Sequence, residues 1–157
     1  MRRSDREIKS TDELIGIIGR CRVCRIGLSL GDIPYVVPMN FGYEYGNQAL
    51  ALYLHCAREG KKLDIIRRNP NAFFEMDCSH KLVDAASACD MTMEYESVMG
   101  AGVISLITDP EEKTHGLALL VHRYSPEKHV AFQARELERV EVLKLAVSEL
   151  SGKRLKR

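Results

Sequence analysis

The chain has 157 residues, a length typical of one domain with a sizeable buried core. Its 23 lysines and arginines nearly balance its 22 aspartates and glutamates, so it lacks the overall basic charge of a nucleic-acid-binding protein. No run of about 18 apolar residues is present and no signal peptide is evident, so we expect no membrane span and a cytoplasmic protein whose five cysteines are thiols.

The first half of the chain is predicted to contain two helices and three strands. Apolar residues at helical spacing predict helices over residues 11–20 and 59–68, the second of which ends before Pro70. Three apolar runs, separated by short glycine-containing turns, predict strands over residues 22–30, 33–45 and 49–56. Two tight turns in succession indicate an antiparallel meander.

The second half is predicted to contain strands over residues 72–78, 92–108 and 139–147, with a polar loop over residues 79–89. Gly100 and Gly102 indicate a bulge or bend in the long strand. Asp109 and Pro110 predict the start of a helix that ends near residue 121, and a further helical piece is expected after Pro126. Because the pattern has no βαβ alternation, we predict one mainly β domain, residues 1–157, forming an antiparallel barrel with flanking helices.

The second predicted strand carries a proline, Pro38, which cannot donate a hydrogen bond to a neighbouring strand. This position is compatible with an edge strand or a bulge. It is equally compatible with a backbone left free to meet a ligand, to which Asn40 would add a side-chain amide. The residues alone do not decide between these two interpretations.

A second candidate site lies where the third predicted strand runs into a helix. Gly60 permits close approach of backbone N–H groups, and a helix N-terminus attracts anions. Arg58, Lys61 and Lys62 add positive charge suited to phosphate oxygens. The alternative is a solvated basic patch beside the start of a helix.

Cys21 and Cys24 form a CxxC pair, the only part of a zinc motif in the sequence. A single pair without a second pair, or a suitably spaced pair of histidines, is a poor zinc signal. We therefore predict no metal site and interpret these cysteines as core residues.

Six segments of the sequence, in order, resemble one protein family. They are MRR at residues 1–3, YVVPMNFGYEY at 35–45, LYLHCAREGKKLD at 52–64, RRNP at 67–70, YESVMGAG at 95–102 and SGKR at 151–154. Together they resemble the nitroimidazole-resistance (Nim) group of the pyridoxamine 5′-phosphate oxidase-like flavin-binding split barrels. The resemblance implies a six-stranded antiparallel split β-barrel of the FMN-binding type, paired into a homodimer with flavin between the subunits. FMN is the expected cofactor and FAD the alternative.

The resemblance also implies which residues contact the flavin. Three would border the isoalloxazine ring: Pro38, Met39 and Asn40. Three would lie along the flavin on the next strand: His55, Cys56 and Ala57. Three would take the phosphate: Gly60, Lys61 and Lys62. Three would come from the partner subunit: Ser97, Val98 and Met99. His55 matches the family's histidine near the reactive face, which implies a catalytic role; the alternative is a structural histidine at the barrel rim.

The function expected from this resemblance is reduction of a small compound, of the nitroaromatic (5-nitroimidazole) type, by a flavin-dependent oxidoreductase. The alternatives are a flavin carrier or redox sensor without turnover, and a haem-binding relative.

The long strand at residues 92–108 gives a separate argument for the homodimer. Its apolar side chains fall on both sides of the strand: Tyr95, Val98, Met99, Val103 and Ile104. A strand with one face in solvent normally alternates apolar with polar residues. We therefore expect a second copy of the chain to cover the other face.

Overall fold

The computed structural model describes residues 3–156 and is mainly β. Its strands are β1 (Glu7–Ile8), β2 (Cys24–Leu30), β3 (Ile33–Met39), β4 (Gly42–Gly46), β5 (Ala49–Cys56), β6 (Asn71–Val83), β7 (Thr92–Leu106) and β8 (Glu141–Leu155). Its helices are α1 (Thr11–Arg20), α2 (Lys61–Arg68), α3 (Pro110–Tyr124) and α4 (Ala134–Leu137). The sequence thus places α1 and β5 at their observed bounds. Of the helices in the described range, none is both long and apolar enough to span a bilayer.

The strands form one antiparallel sheet in the order β3-β2-β6-β7-β8-β5-β4, with β1 beside β8. The two edge strands, β3 and β4, are joined through only Asn40 and Phe41, so the sheet must curl to bring its edges together. This architecture confirms a mainly β antiparallel fold with flanking helices and is consistent with a split barrel.

The strand count differs from the expected six, because the sheet formed by residues 3–156 has eight strands. Two features account for the difference. β1, of two residues, has no counterpart in the prediction. The predicted strand over residues 33–45 is divided at Asn40 into β3 and β4.

The predicted three-stranded meander is wrong for the same reason. β2 pairs with β3 and β4 pairs with β5, but these two hairpins lie at opposite ends of the sheet order. Phe41 is fully buried, and its backbone N–H donates to the hydroxyl of Tyr124 at 3.2 Å instead of to a neighbouring strand. A buried side chain and a helical partner therefore interrupt an otherwise continuous apolar run.

Two strands extend beyond their predicted ends. β6 continues to Val83, through what was predicted to be a loop, with an irregularity in its pairing between Cys78 and Lys81. β8 begins at Glu141 and continues to Leu155 because its second half pairs with β7. A shift of register lies between Ala101 and Gly102, as predicted for this part of the sheet, but the extra residue is Ser148 of β8, and β7 itself pairs regularly with β6 there.

Apolar side chains pack on both faces of β5. Leu52 and Leu54 face the main core, together with residues of α1 and α2. Ala51 and Tyr53, on the other face, pack against α3. The helix approaches closely at β4, since a Cβ atom on Gly42 would lie 2.7 Å from a backbone atom of α3. The end of α3 is therefore fixed against the link between β3 and β4.

Candidate functional site

Asn40 and His55, predicted as flavin neighbours from separate strands, line the same open groove. β4 and β5 are antiparallel, and Gly42 is paired with Tyr53. Asn40 lies two residues before Gly42 and His55 lies two residues after Tyr53, so the pairing brings Asn40 towards His55. The groove has a volume of about 470 Å³, and its other lining residues come from α3 and the segment after it: Leu120, Val121, Tyr124, Ser125 and Lys128.

The His55 side chain is exposed at the end of β5. Alternation along the strand places it on the face that packs against α3, with Tyr53 and not with the main core. Within residues 3–156 it forms no hydrogen bond or ion pair. His55 is thus placed to meet a ligand, and its catalytic role stays a prediction.

Tyr124 forms a rigid wall of the groove. Its hydroxyl donates to the carbonyl of Arg22 at 2.7 Å and accepts from the backbone N–H of Phe41 at 3.2 Å. Both partners are main-chain groups, so the ring is held in one orientation. Sequence reasoning did not identify Tyr124 because the predicted helix ended near residue 121, one turn too early.

The start of α2 is a positively charged helix terminus. Its capping residue, Gly60, has no side chain to accept from the first-turn N–H groups, and its φ of 134° is in a region that favours glycine. Lys61 Nζ lies 5.1 Å from the centroid of the Tyr35 ring. Neither Lys61 nor Lys62 forms an ion pair with another described residue, so both ammonium groups are available to an anion.

Arg58 is less available than the two lysines. Its Nε lies 3.8 Å from a carboxylate oxygen of Glu141, although the side chain remains largely exposed. Glu141 is paired across the sheet with Cys56. Burial raises the pKa of the Cys56 thiol, which is therefore neutral near pH 7.

Three other residues predicted to contact the flavin are neighbours in sequence of Asn40 or His55. Met39 is buried in the main core. Pro38 lies opposite Arg25 on the edge strand β3, which confirms the edge-strand interpretation of this proline without excluding a ligand there. Ala57 is exposed just after β5.

A single chain does not bring Ser97, Val98 and Met99 to the groove. His55 is paired with Val142 near the start of β8, whereas Val98 is paired with Gly152 near its end. At about 3.3 Å per residue, the two positions are roughly 30 Å apart along β8. Any contribution of these residues to the same site therefore requires a second subunit.

The outward side of β7 is uncharged along its whole length. Alternate residues form this side, which we term the β7 stripe: Met93, Tyr95, Ser97, Met99, Ala101 and Val103. Met99 is 39% exposed and Val103 is 50% exposed. Val98 and Ile104, on the other side, are buried in the core. Apolar residues on both sides of this strand are thus confirmed.

The apolar surface continues from the β7 stripe across neighbouring strands. Phe73 of β6 is paired with Ala101, and Gly27 of β2 is paired with both Phe73 and Val36. Phe73 is 49% exposed and Val36 is 63% exposed. The stripe therefore joins exposed apolar residues of β6 and β3 near Ala101, whereas charged residues of β6, Glu75 and Asp77, lie beside Met99 and Ser97.

The CxxC cysteines are core residues, as predicted. Cys21 and Cys24 are fully buried, and burial raises the pKa of the Cys21 thiol to about 12. Among the residues that the structure describes, no group of three or more His, Cys, Asp or Glu side chains is arranged to hold a metal ion.

The curled antiparallel sheet, its flanking helices and the groove beside them define a split-barrel class of protein. A family model described as pyridoxamine 5′-phosphate oxidase matches residues 10–154. The chain therefore belongs to the pyridoxamine 5′-phosphate oxidase-like family.

Solved structures support this assignment. The chain is 34% identical to a candidate 5-nitroimidazole antibiotic resistance protein from Bacteroides thetaiotaomicron, with a TM-score of 0.82 over 94% of this chain and 85% of that one. This confirms the resemblance seen in the sequence. A comparison with curated protein sequences finds no match.

Two more distant structures share the fold. The flavocytochrome Anf3 from Azotobacter vinelandii is 22% identical, with a TM-score of 0.84 over all of this chain and 72% of that one. An FAD- and haem-binding protein from Mycobacterium smegmatis is 20% identical, with a TM-score of 0.84 over 97% of this chain and 74% of that one.

Proposed function

We propose that this protein is a flavin-dependent oxidoreductase that reduces a small nitroaromatic compound, with FMN bound between two copies of the chain. The observation that carries the proposal is the position of Asn40 and His55 in one groove near a basic helix terminus, in a chain of this family. The 34% identity to a candidate 5-nitroimidazole antibiotic resistance protein supports the substrate class.

The start of α2 fits a phosphate group. No side chain caps the first turn, in which the Leu63 N–H donates to the Gly60 carbonyl at 2.9 Å, and the helix dipole favours an anion at the N–H groups that precede it. Lys61 and Lys62 would add charge-assisted hydrogen bonds. One terminus with two unpaired lysines suits the single phosphate of FMN; FAD, with two phosphates, is the alternative.

The groove fits the reactive end of the site. Asn40 offers both a donor and an acceptor, and the imidazole of His55 offers one ring nitrogen as a donor and one as an acceptor when neutral. A bound flavin would supply the electron transfer. The role of His55 would be to donate a proton to the reduced substrate. The role of Tyr124 would be to fix the orientation of the substrate's ring.

The apolar face that includes the β7 stripe supports the homodimer. Several exposed apolar side chains on one strand and its neighbour, here Met99, Val103 and Phe73, are typical of an interface. A two-fold arrangement would place the β7 stripe of one subunit against that of the other. It would also allow Ser97 and Met99 to approach the partner's flavin, which they cannot do within one chain.

The test begins with the absorption spectrum of the protein as purified, followed by mass analysis of the released cofactor. We expect a flavin spectrum and the mass of FMN; a haem spectrum would overturn the proposal in favour of a haem-binding protein. The flavin-loaded protein is then reduced anaerobically and mixed with a 5-nitroimidazole or another nitroaromatic acceptor. Reoxidation of the flavin with loss of the nitro group supports an oxidoreductase. No transfer to any acceptor would indicate a carrier or sensor instead.

A further inference from the structure

The groove that contains His55 is lined by hydrogen-bond donors and apolar side chains, with no carboxylate among its lining residues. Its polar groups are an amide, an imidazole, a hydroxyl and an ammonium: Asn40, His55, Ser125 and Lys128. Leu120, Val121 and Tyr124 supply apolar surface. A site of this composition favours a small molecule with an apolar body and a negatively charged group.

Lys128 carries the only full positive charge among the residues lining this groove. It follows α3 in a tight turn in which its backbone N–H donates to the carbonyl of Ser125 at 3.0 Å. Pro126 occupies the second position of this turn, where its fixed φ is favourable. The turn holds Lys128 beside the groove, and its ammonium forms no ion pair with any residue between 3 and 156.

The aromatic part of the lining favours a planar ring. The two main-chain hydrogen bonds of the Tyr124 hydroxyl fix its aromatic ring at the groove, and aromatic rings pair well with other flat rings. A volume of about 470 Å³ is sufficient for a one-ring compound.

We propose that the groove binds small aromatic acids, and that Lys128 determines this specificity by pairing with the carboxylate. The proposal deepens the proposed function and rests on it for the identity of the site as the substrate site. It names Lys128 as a specificity-determining residue and a singly charged aromatic carboxylate as the preferred substrate class.

A different role for Lys128 makes different predictions. A positive charge near the C-terminus of α3 is also favourable because it offsets the helix dipole. If that were its only role, removing the charge would lower the thermal stability and leave ligand preference unchanged. Measurement of both quantities separates the two roles.

The test compares 4-nitrobenzoate with its uncharged analogue 4-nitrobenzamide, by calorimetric titration of the protein as purified. Because Lys128 is solvent-exposed, we expect the wild type to prefer the acid by about fivefold in Kd at low salt. We expect this preference to shrink as salt is added. Lys128→Gln should bind both compounds equally, and Lys128→Arg should keep the preference. The control is Lys156→Gln, an exposed lysine beyond the far end of β8, which should behave as wild type.

Equal binding of the two compounds by the wild type would overturn the proposal, as would a preference retained in Lys128→Gln. Failure of the wild type to bind either compound would also overturn it. None of these outcomes depends on turnover, so they are distinct from a failure of the proposed oxidoreductase activity. If the protein prefers the acid through Lys128 but transfers no electrons, the binding specificity is supported and the proposed oxidoreductase activity is overturned.

Discussion

The carboxylate of Glu96 accepts a 2.6 Å hydrogen bond from the guanidinium of Arg20, which joins the end of α1 to β7. Glu96 is 3% exposed, so its charge would be costly without partners. Arg154 donates to the other carboxylate oxygen at 2.7 Å. The hydroxyl of Ser79 donates at 3.0 Å to the same oxygen as Arg20. Burial alone would raise the pKa of Glu96, but these hydrogen bonds outweigh it and lower the pKa to about 2.

The depressed pKa makes this carboxylate a source of stability that depends on pH. Below the ordinary pKa of a glutamate, about 4.3, the unfolded chain takes up a proton that the folded protein still excludes. The contribution is therefore fully present above about pH 4.5 and is lost as the pH falls to about 2.

We expect Glu96→Gln to be less stable than wild type at pH 7, by on the order of 3 kcal/mol. The two proteins should converge in stability as the pH falls, because wild-type Glu96 becomes protonated. Urea unfolding at a series of pH values measures this. Glu127→Gln, which removes an exposed carboxylate, is the control and should change little. A constant difference between Glu96→Gln and wild type at all pH values would contradict the assigned pKa.

Replacement of both Lys61 and Lys62 by alanine should weaken flavin binding. Charge-assisted contacts contribute about 1.5–3 kcal/mol, and exposure of Lys61 places the expected loss near the lower limit, about tenfold in Kd. Titration of the flavin-free protein with FMN, followed by flavin fluorescence, measures the change. Lys81→Ala, an exposed lysine on β6, is the control. Unchanged flavin affinity in the double variant would show that Lys61 and Lys62 form only a solvated basic patch beside the start of α2.

The start of α2 also shows which parts of the site the sequence could predict. The helix, its basic residues and Gly60 lie close together in the chain, so local pattern and residue chemistry were sufficient to identify them. The predicted start at residue 59 was early because the conformation of Gly60, with a φ of 134°, interrupts the helix. Local patterns do not specify such a dihedral angle.

The groove was less predictable because it depends on contacts between distant segments. Asn40 and His55 were identified from the family resemblance, but Tyr124 and Lys128 join them only because α3 packs across β4 and β5. The second half of β8 was missed for a related reason. Its polar sequence lacks an apolar alternation, and its strand conformation is determined by pairing with β7.

We expect His55→Ala to retain flavin and to lose most of its activity. The side chain is exposed and makes no hydrogen bond within the described residues, so its removal should not unfold the protein. Loss of a proton donor typically lowers the rate by about a hundredfold or more. Single-turnover reoxidation by a nitroaromatic acceptor measures the rate, and flavin content is measured on the same sample. His122→Ala, an exposed histidine of α3 outside the groove, is the control. Unfolding of His55→Ala would instead assign it a structural role.

The homodimer is tested best at Met99. Met99 is 39% exposed on the β7 stripe, so Met99→Glu should preserve the fold but place a charge in the proposed interface. We expect monomers by light scattering, with reduced flavin affinity because dimerisation and cofactor binding would be coupled. Val98 is unsuitable for this test: it is fully buried, and a charge there should unfold the chain itself. Tyr45→Glu, at a similarly exposed position on β4, is the matched control and should remain dimeric. A folded Met99→Glu monomer with wild-type flavin affinity would rule out a flavin site completed by the partner subunit.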